Sequence, residues 1–191
     1  MSYDSAAYKH WDTSTPGGKS RLTHLELHSE QLELMKKHLD RNDSIVDLGC
    51  GTNLYKDHFP NIVGVDVIDH PNVDVRSSIL EFKSEERFDA ALAFGSIQYY
   101  DHRYIRQCFY KMVYLVKPGG LIFFRGLYHE PSIKYDHLIF WDKKMIEGFT
   151  LDCNLDIIEP MNIYPLKNKV DDKFPGDAPD LMNMNIVWRK K

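Results

Sequence analysis

Two short apolar runs, each closed by an aspartate, constrain this chain most. Ser44-Ile45-Val46-Asp47-Leu48 stops at Gly49, and Asn61-Ile62-Val63-Gly64-Val65-Asp66 follows about a dozen residues later. Apolar runs of this length between turn residues read as buried strands. Parallel strands need a crossover connection, usually a helix. Residues 51–60, with Leu54, Tyr55 and Phe59, leave room for one or two helical turns there. Further short strands are expected at 73–75, 88–94 and 121–124.

The helical period appears on either side of these strands. Leu22, Leu25, Leu32, Met35 and Leu39 fall on one face, which predicts an amphipathic helix from residue 20 to about 40–43. Ile105, Cys108, Phe109, Met112 and Val116 mark a second helix, with Asp101 as its N-cap and Lys117-Pro118-Gly119-Gly120 as its stop. Residues 142–147 predict a third, ended by Gly148. Alternating strands and helices imply an α/β fold with a parallel sheet covered on both faces. The last strands, 154–159 and 183–189, have no helix between them and suggest an antiparallel pair at the sheet edge. The link at about 164–181 carries Pro165, Pro175, Gly176 and Pro179 and is too long for a hairpin turn. Residues 1–19 show no sustained period and read as an N-terminal arm, with one domain over 20–191.

Composition narrows the function classes. At 191 residues, 43% of them hydrophobic, the chain can bury a core without disulfides or structural metal. With 24 Lys and Arg against 28 Asp and Glu, it lacks the basic balance of a nucleic-acid-binding domain, so nucleic acid is not an expected partner. No apolar stretch approaches the 18 or so residues that span a bilayer, and residues 1–10 lack a signal peptide's apolar core, so a cytoplasmic protein with no membrane partner is expected. Cys50, Cys108 and Cys153 form no CxxC pair and no metal-ligand spacing, and no metal is expected. They read as reduced and mostly buried.

The loop Asp47-Leu48-Gly49-Cys50-Gly51-Thr52-Asn53 sits where open α/β sheets bind ligands, at a strand's carboxyl end. Glycines there let the backbone approach a ligand, and Asn53 is suited to a left-handed conformation. A dinucleotide fingerprint needs a third glycine to seat a pyrophosphate on a helix. Here a carboxylate stands in that place, and it suits a ligand bearing an ammonium group. Asp66, closing the second strand, can accept both hydroxyls of a ribose. The two acids describe a site for a nucleoside that carries positive charge.

Residues 46–53, Gly64-Val65-Asp66, the run from Phe88 to Asp101 and Leu115-Val116-Lys117-Pro118-Gly119-Gly120-Leu121 resemble the class I S-adenosylmethionine (SAM) dependent methyltransferases, in order and spacing, over roughly residues 20–160. The resemblance implies a single-domain Rossmann-like seven-stranded sheet, mostly parallel with an antiparallel edge strand and helices on both faces. It implies SAM as cofactor. Asp47, Gly49, Cys50, Gly51 and Asn53 would line its methionine end, and Asp66 its ribose. Val67, Ser78 and Ile79 would flank the adenine, and Phe94 and Gly95 the sulfonium. Gln98, Tyr99 and Tyr128 would face the substrate. The family's usual third glycine is Asn53 here, and the helix after the loop is shortened.

If the acceptor is a hydroxyl, a general base helps, and His129 and His137, after the fifth strand, are the candidates. Tyr8, Trp11 and Arg21 have two readings: they close over the cofactor, with Arg21 pairing its carboxylate, or they belong to an arm that packs on the sheet. Gly95-Ser96-Ile97-Gln98 stands where base-amino methyltransferases carry Asn-Pro-Pro-aromatic. The resemblance therefore implies transfer to a small-molecule or sugar-like acceptor, with oxygen slightly favoured. RNA or protein methylation with a partner subunit, and a SAM-binding regulatory protein without turnover, are the alternatives. Monomer and homodimer both stay open.

Overall fold

The computed structural model describes residues 29–99, 101–132, 134, 135, 138–165 and 182–191. The arm at 1–19, Arg21 and His137 lie outside the described residues, as does most of the 164–181 link. The elements in chain order are α1 (Ser29–His38), β1 (Ile45–Leu48), β2 (Ile62–Asp66), β3 (Val75–Arg76), β4 (Phe88–Phe94), α2 (His102–Leu115), β5 (Val116–Tyr128), β6 (Lys134–Tyr135), β7 (Leu138–Ile139), α3 (Lys143–Asp152), β8 (Leu155–Pro165) and β9 (Met182–Lys190).

Seven strands form one sheet in the order β3-β2-β1-β4-β5-β9-β8, and β6 pairs with β7 in a separate ribbon. β1 through β5 run parallel. β9 is antiparallel to both β5 and β8, so the expected antiparallel pair closes one edge with β8 outermost. Because the first five strands share a direction, their carboxyl ends, and the loops that follow, meet at one end of the sheet.

Side-chain alternation along the strands builds a core on each face. Ile122 and Phe124 of β5 face α2 and α3, where Phe109, Trp141, Phe149 and Trp188 form an aromatic centre. Leu121 and Phe123 face the other way, toward Leu32, Met35 and Leu39 at α1, with Tyr55 and Phe59 beside them. The helices take the expected capping chemistry. The Asp101 carboxylate accepts from the Tyr104 amide at 2.8 Å, and that of Asp142 from the Met145 amide at 2.7 Å.

Four elements differ from the sequence-based expectation, each because a tertiary contact overrides a local preference. Gly148 does not end α3. The helix runs on to Asp152, since Phe149 buries against Phe109 and Trp141, which outweighs the roughly 1 kcal/mol that a mid-helix glycine costs. Lys117-Pro118-Gly119-Gly120 is not a separating turn but a bulge inside β5, between the pairs Phe88↔Val116 and Ala90↔Leu121. A Cβ on Gly120 would lie 2.6 Å from the Asp89 carbonyl oxygen, and Lys117 pairs with the Asp89 carboxylate at 2.7 Å. β3 begins at Val75 rather than Val73, because the Val73 amide turns back to the His70 carbonyl. Residues 51–58 form successive hydrogen-bonded turns rather than a helix.

Candidate active site at the carboxyl ends of the strands

The loop after β1 folds back over β2. The amides of Gly49 and Cys50 donate to the Val65 carbonyl at 2.8 and 3.2 Å, which requires the left-handed φ of 76° at Gly49. Gly49 is also needed for space: a Cβ there would sit 2.3 Å from the Ser96 Cβ, so the loops after β1 and β4 are in direct contact. The Ser96 hydroxyl closes that contact by donating to the Leu48 carbonyl. Gly51, at φ 56°, has nothing within 4 Å of where its Cβ would stand, so the loop presents an open side.

Asp47 lies on the α1 face of β1, alongside Ile45, and is only 3% exposed. No described residue donates a hydrogen bond to its carboxylate. Burial pushes its pKa up to about 7, with help from the negative charge of Asp66, while the Arg125 guanidinium pulls the other way. The Asp66 carboxylate is held by loop amides instead. One oxygen accepts from Gly51 at 2.8 Å, the other from Val67 at 2.7 Å and Ile68 at 3.2 Å. The two acids, the open glycine and the loop after β4 thus occupy the same end of the sheet.

The remaining candidates fall in three places. At the end of β3, Ser78 and Ile79 are both buried, and the Ser78 hydroxyl donates to Glu81 at 2.8 Å. At the end of β4, Phe94 meets Tyr55 edge-on at 5.7 Å, and Gly95 turns at φ 83°. Beyond them, Gln98 is tied down: its side-chain oxygen accepts from the Leu127 amide at 3.0 Å, and its carbonyl from the Ile139 amide at 2.7 Å. Its amide nitrogen lies 3.9 Å from where a Gly95 Cβ would be. Tyr99 bridges to Leu138 and packs against Leu127 and Phe140. The Tyr128 hydroxyl donates to Glu130 at 2.8 Å, and desolvation, together with that carboxylate, pushes its pKa up to about 12. His129 places Nδ1 2.8 Å from the Pro131 carbonyl, so Nδ1 carries the proton in the neutral ring and Nε2 is left as the acceptor.

Two loop residues have other partners. Asn53 takes the left-handed φ of 53°, but its side chain turns to the Asn72 carbonyl and the Asp74 carboxylate, both at 3.1 Å. Cys50 is half-buried near Asp47, Asp66 and Asp74, and desolvation first, then those charges, push its thiol far above the ordinary range, which leaves it no thiolate for chemistry.

Arg125 is the residue that sequence reasoning missed. Its Nη2 donates to the Phe94 carbonyl at 3.1 Å and would lie 3.2 Å from a Cβ on Gly95, so the missing side chain at Gly95 makes room for it. The available signal was a single charge in the otherwise apolar stretch 121–127.

No protein-family model matches the sequence, and no curated protein matches it. Solved structures share its architecture. The 1,6-didemethyltoxoflavin-N1-methyltransferase of Burkholderia thailandensis, with 1,6-didemethyltoxoflavin and S-adenosylhomocysteine bound, superposes at a TM-score of 0.75 and 15% identity, over 98% of this chain and 88% of that one. The N-methyltransferase NodS of Bradyrhizobium japonicum WM9, in complex with S-adenosylhomocysteine, gives 0.59 and 16% over 95% and 90%. The [4+2]-cyclase SpnF gives 0.64 and 14% over 84% and 80%. The chain has the class I methyltransferase fold, as its motifs implied.

Proposed function

We propose that this protein is a SAM-dependent methyltransferase acting on a small molecule. The observation that carries the proposal is the pair Asp47 and Asp66, at the carboxyl ends of adjacent strands, with an open glycine loop between them. The residues fit the cofactor. The buried Asp47 carboxylate, with no hydrogen-bond donor among the described residues, suits an ammonium, and the space beside Gly51 admits a ligand against the backbone. Asp66, whose two oxygens already accept from the Gly51, Val67 and Ile68 amides, keeps one acceptor position, on the oxygen facing Gly51, for a ribose hydroxyl.

When bound, SAM supplies a methyl group on a cationic sulfur, open to in-line displacement. The protein's task is to align the acceptor and exclude water. Phe94 and Gly95 would line the approach, Gln98 is held beside them by Leu127, and Val67, Ser78 and Ile79 would flank the adenine. Tyr99 and Tyr128 border the acceptor side.

The similar structures named N-methyltransferases support a nitrogen acceptor over the hydroxyl favoured from sequence. A neutral amine needs little help from a base. The tautomer of His129 supports the oxygen reading, in which Nε2 takes the hydroxyl proton.

Isothermal titration with S-adenosylhomocysteine tests the core of the proposal: binding to the wild type is expected, and none at millimolar ligand would overturn it. Asp66→Ala is expected to weaken that binding by about 1–3 kcal/mol through loss of charge-assisted hydrogen bonds. An unchanged affinity would mean that the ribose lies elsewhere. Transfer of labelled methyl to a cell extract, separated into small molecules, RNA and protein, tests the acceptor class. Label in small molecules is expected, and label only in RNA would refute that class. Binding without label in any fraction would favour a regulatory protein.

A further inference from the structure

We infer that Asp74, together with Asn53, is a positioning residue that sets the shape of the cofactor loop, in the place that a crossover helix would otherwise fill. The inference rests on the cofactor site proposed above.

The geometry is a clip between the loop and the segment leading into β3. One Asp74 carboxylate oxygen accepts from the Gly64 amide at 2.9 Å and from the Asn53 side-chain amide at 3.1 Å, and the other pairs with Lys56. The Asp74 amide in turn donates to the Gly64 carbonyl at 2.9 Å, so Asp74 holds β2 from both sides of one residue. Asn53 also donates to the Asn72 carbonyl, and the Asn72 side chain returns a bond to the Thr52 carbonyl at 3.3 Å. Each residue type is required by the others. A Cβ on Gly64 would lie 2.4 Å from the Asn53 amide nitrogen, so only glycine lets that side chain cross β2 to reach Asp74.

Two further observations point to positioning. Residues 51–58 are turns, and no α-helix among the described residues lies between β1 and β2 to fix the loop. The Thr52 hydroxyl and the Asn53 side-chain oxygen are buried and have no hydrogen-bond partner among the described residues. Neither atom therefore helps to hold the loop, which rests on the bonds of the Asn53 amide group and of Asn72. The held loop ends on Asp66, through the Gly51 amide at 2.8 Å. Asp74 thereby orients the carboxylate assigned to the ribose without touching the ligand. Burial alone would raise the Asp74 carboxyl, but the bonds from Lys56, Gly64 and Asn53 hold it below the ordinary range, so the clip stays charged near neutral pH.

The test is titration of the full chain with S-adenosylhomocysteine, comparing wild type, Asp74→Ala, Asn53→Gly and the double variant below their melting temperatures. Asn53→Gly removes the side chain and keeps the left-handed backbone accessible. Each single variant is expected to raise Kd about tenfold, and the double variant also about tenfold rather than a hundredfold, because both remove one shared clip. Amide exchange at residues 50–53 should quicken while that of β4 and β5 stays unchanged, a local effect that general destabilisation would not produce. If Asp74→Ala fails to fold, Asp74→Asn, which keeps an acceptor but loses the charge, takes its place in the cycle with a smaller increase. Affinities within twofold of wild type, or a double variant weakened a hundredfold, would overturn the inference while leaving the cofactor site intact. A wild type that does not bind the ligand would remove both.

Discussion

Trp141→Ala is expected to destabilise the protein by about 3–5 kcal/mol, the range for emptying a fully buried aromatic site. The Trp141 ring has no exposed surface and packs between Phe124, Phe109 and Phe149, with centroids 4.6, 6.1 and 5.3 Å away. Its indole N–H donates to the Ile97 carbonyl at 3.0 Å. Alanine would therefore open a cavity and leave that buried carbonyl without its donor, two penalties that add. The position matters for the site because Ile97 lies between Gly95 and Gln98, so the ring pins the loop after β4 to the core. Trp141→Phe keeps most of the packing and loses the hydrogen bond, and should cost roughly 1–2 kcal/mol. Urea unfolding, read as a shift in midpoint at constant slope, measures both. A loss below about 1 kcal/mol for alanine would refute the packing account.

Asp47→Asn is expected to stabilise the ligand-free protein at pH 8 while weakening S-adenosylhomocysteine binding at least tenfold. The buried carboxyl has its pKa raised from 3.8 to about 7, so between those values the folded state binds more protons than the unfolded state. Stability from this residue is then full below about pH 4, falls as pH rises toward 7, and is flat above. The difference corresponds to roughly 4 kcal/mol at most, since each tenfold change in proton affinity is worth about 1.4 kcal/mol. Asparagine removes that dependence, so the advantage of the variant over wild type should grow from pH 5 to pH 8. Ligand binding reverses the balance. An ammonium beside Asp47 favours the ionised form, so wild-type affinity should strengthen as pH rises to about 7 and then level off. Unfolding curves at both pH values, with titrations alongside, test the pair of effects. A variant no more stable than wild type at pH 8 would show that Asp47 is not held against its charge.

The contrast between what the sequence showed and what it did not follows the range of the interactions. β1, β2 and β4 were legible because a strand buried on both faces is a continuous apolar run, and α2 because its face repeats at helical spacing. The acids Asp47 and Asp66 stood out as charges ending such runs. Each of these patterns is complete within a few residues. Gly148 was misleading for the opposite reason: its local preference to stop a helix lost to Phe149, whose burial depends on Phe109 some forty residues earlier. The Lys117-Pro118-Gly119-Gly120 stretch has the composition of a turn, and only its contact with Asp89 makes it a bulge.

Within the site, residue identity was available from the chain, but direction was not. Asn53 in the loop suggested a ligand contact, and its side chain instead turns to Asp74, 21 residues away in sequence. Arg125 reaches the Phe94 carbonyl because β4 and β5 are neighbours in register. By itself, then, the sequence determined the α/β alternation, the two strand-end acids and the glycine loop, because burial periodicity and backbone freedom are properties of short segments. Only the tertiary structure decided that Asp47 carries a raised pKa, that Arg125 joins the site and that Asp74 clips the loop, because fields and hydrogen bonds depend on distances in space that sequence separation does not contain.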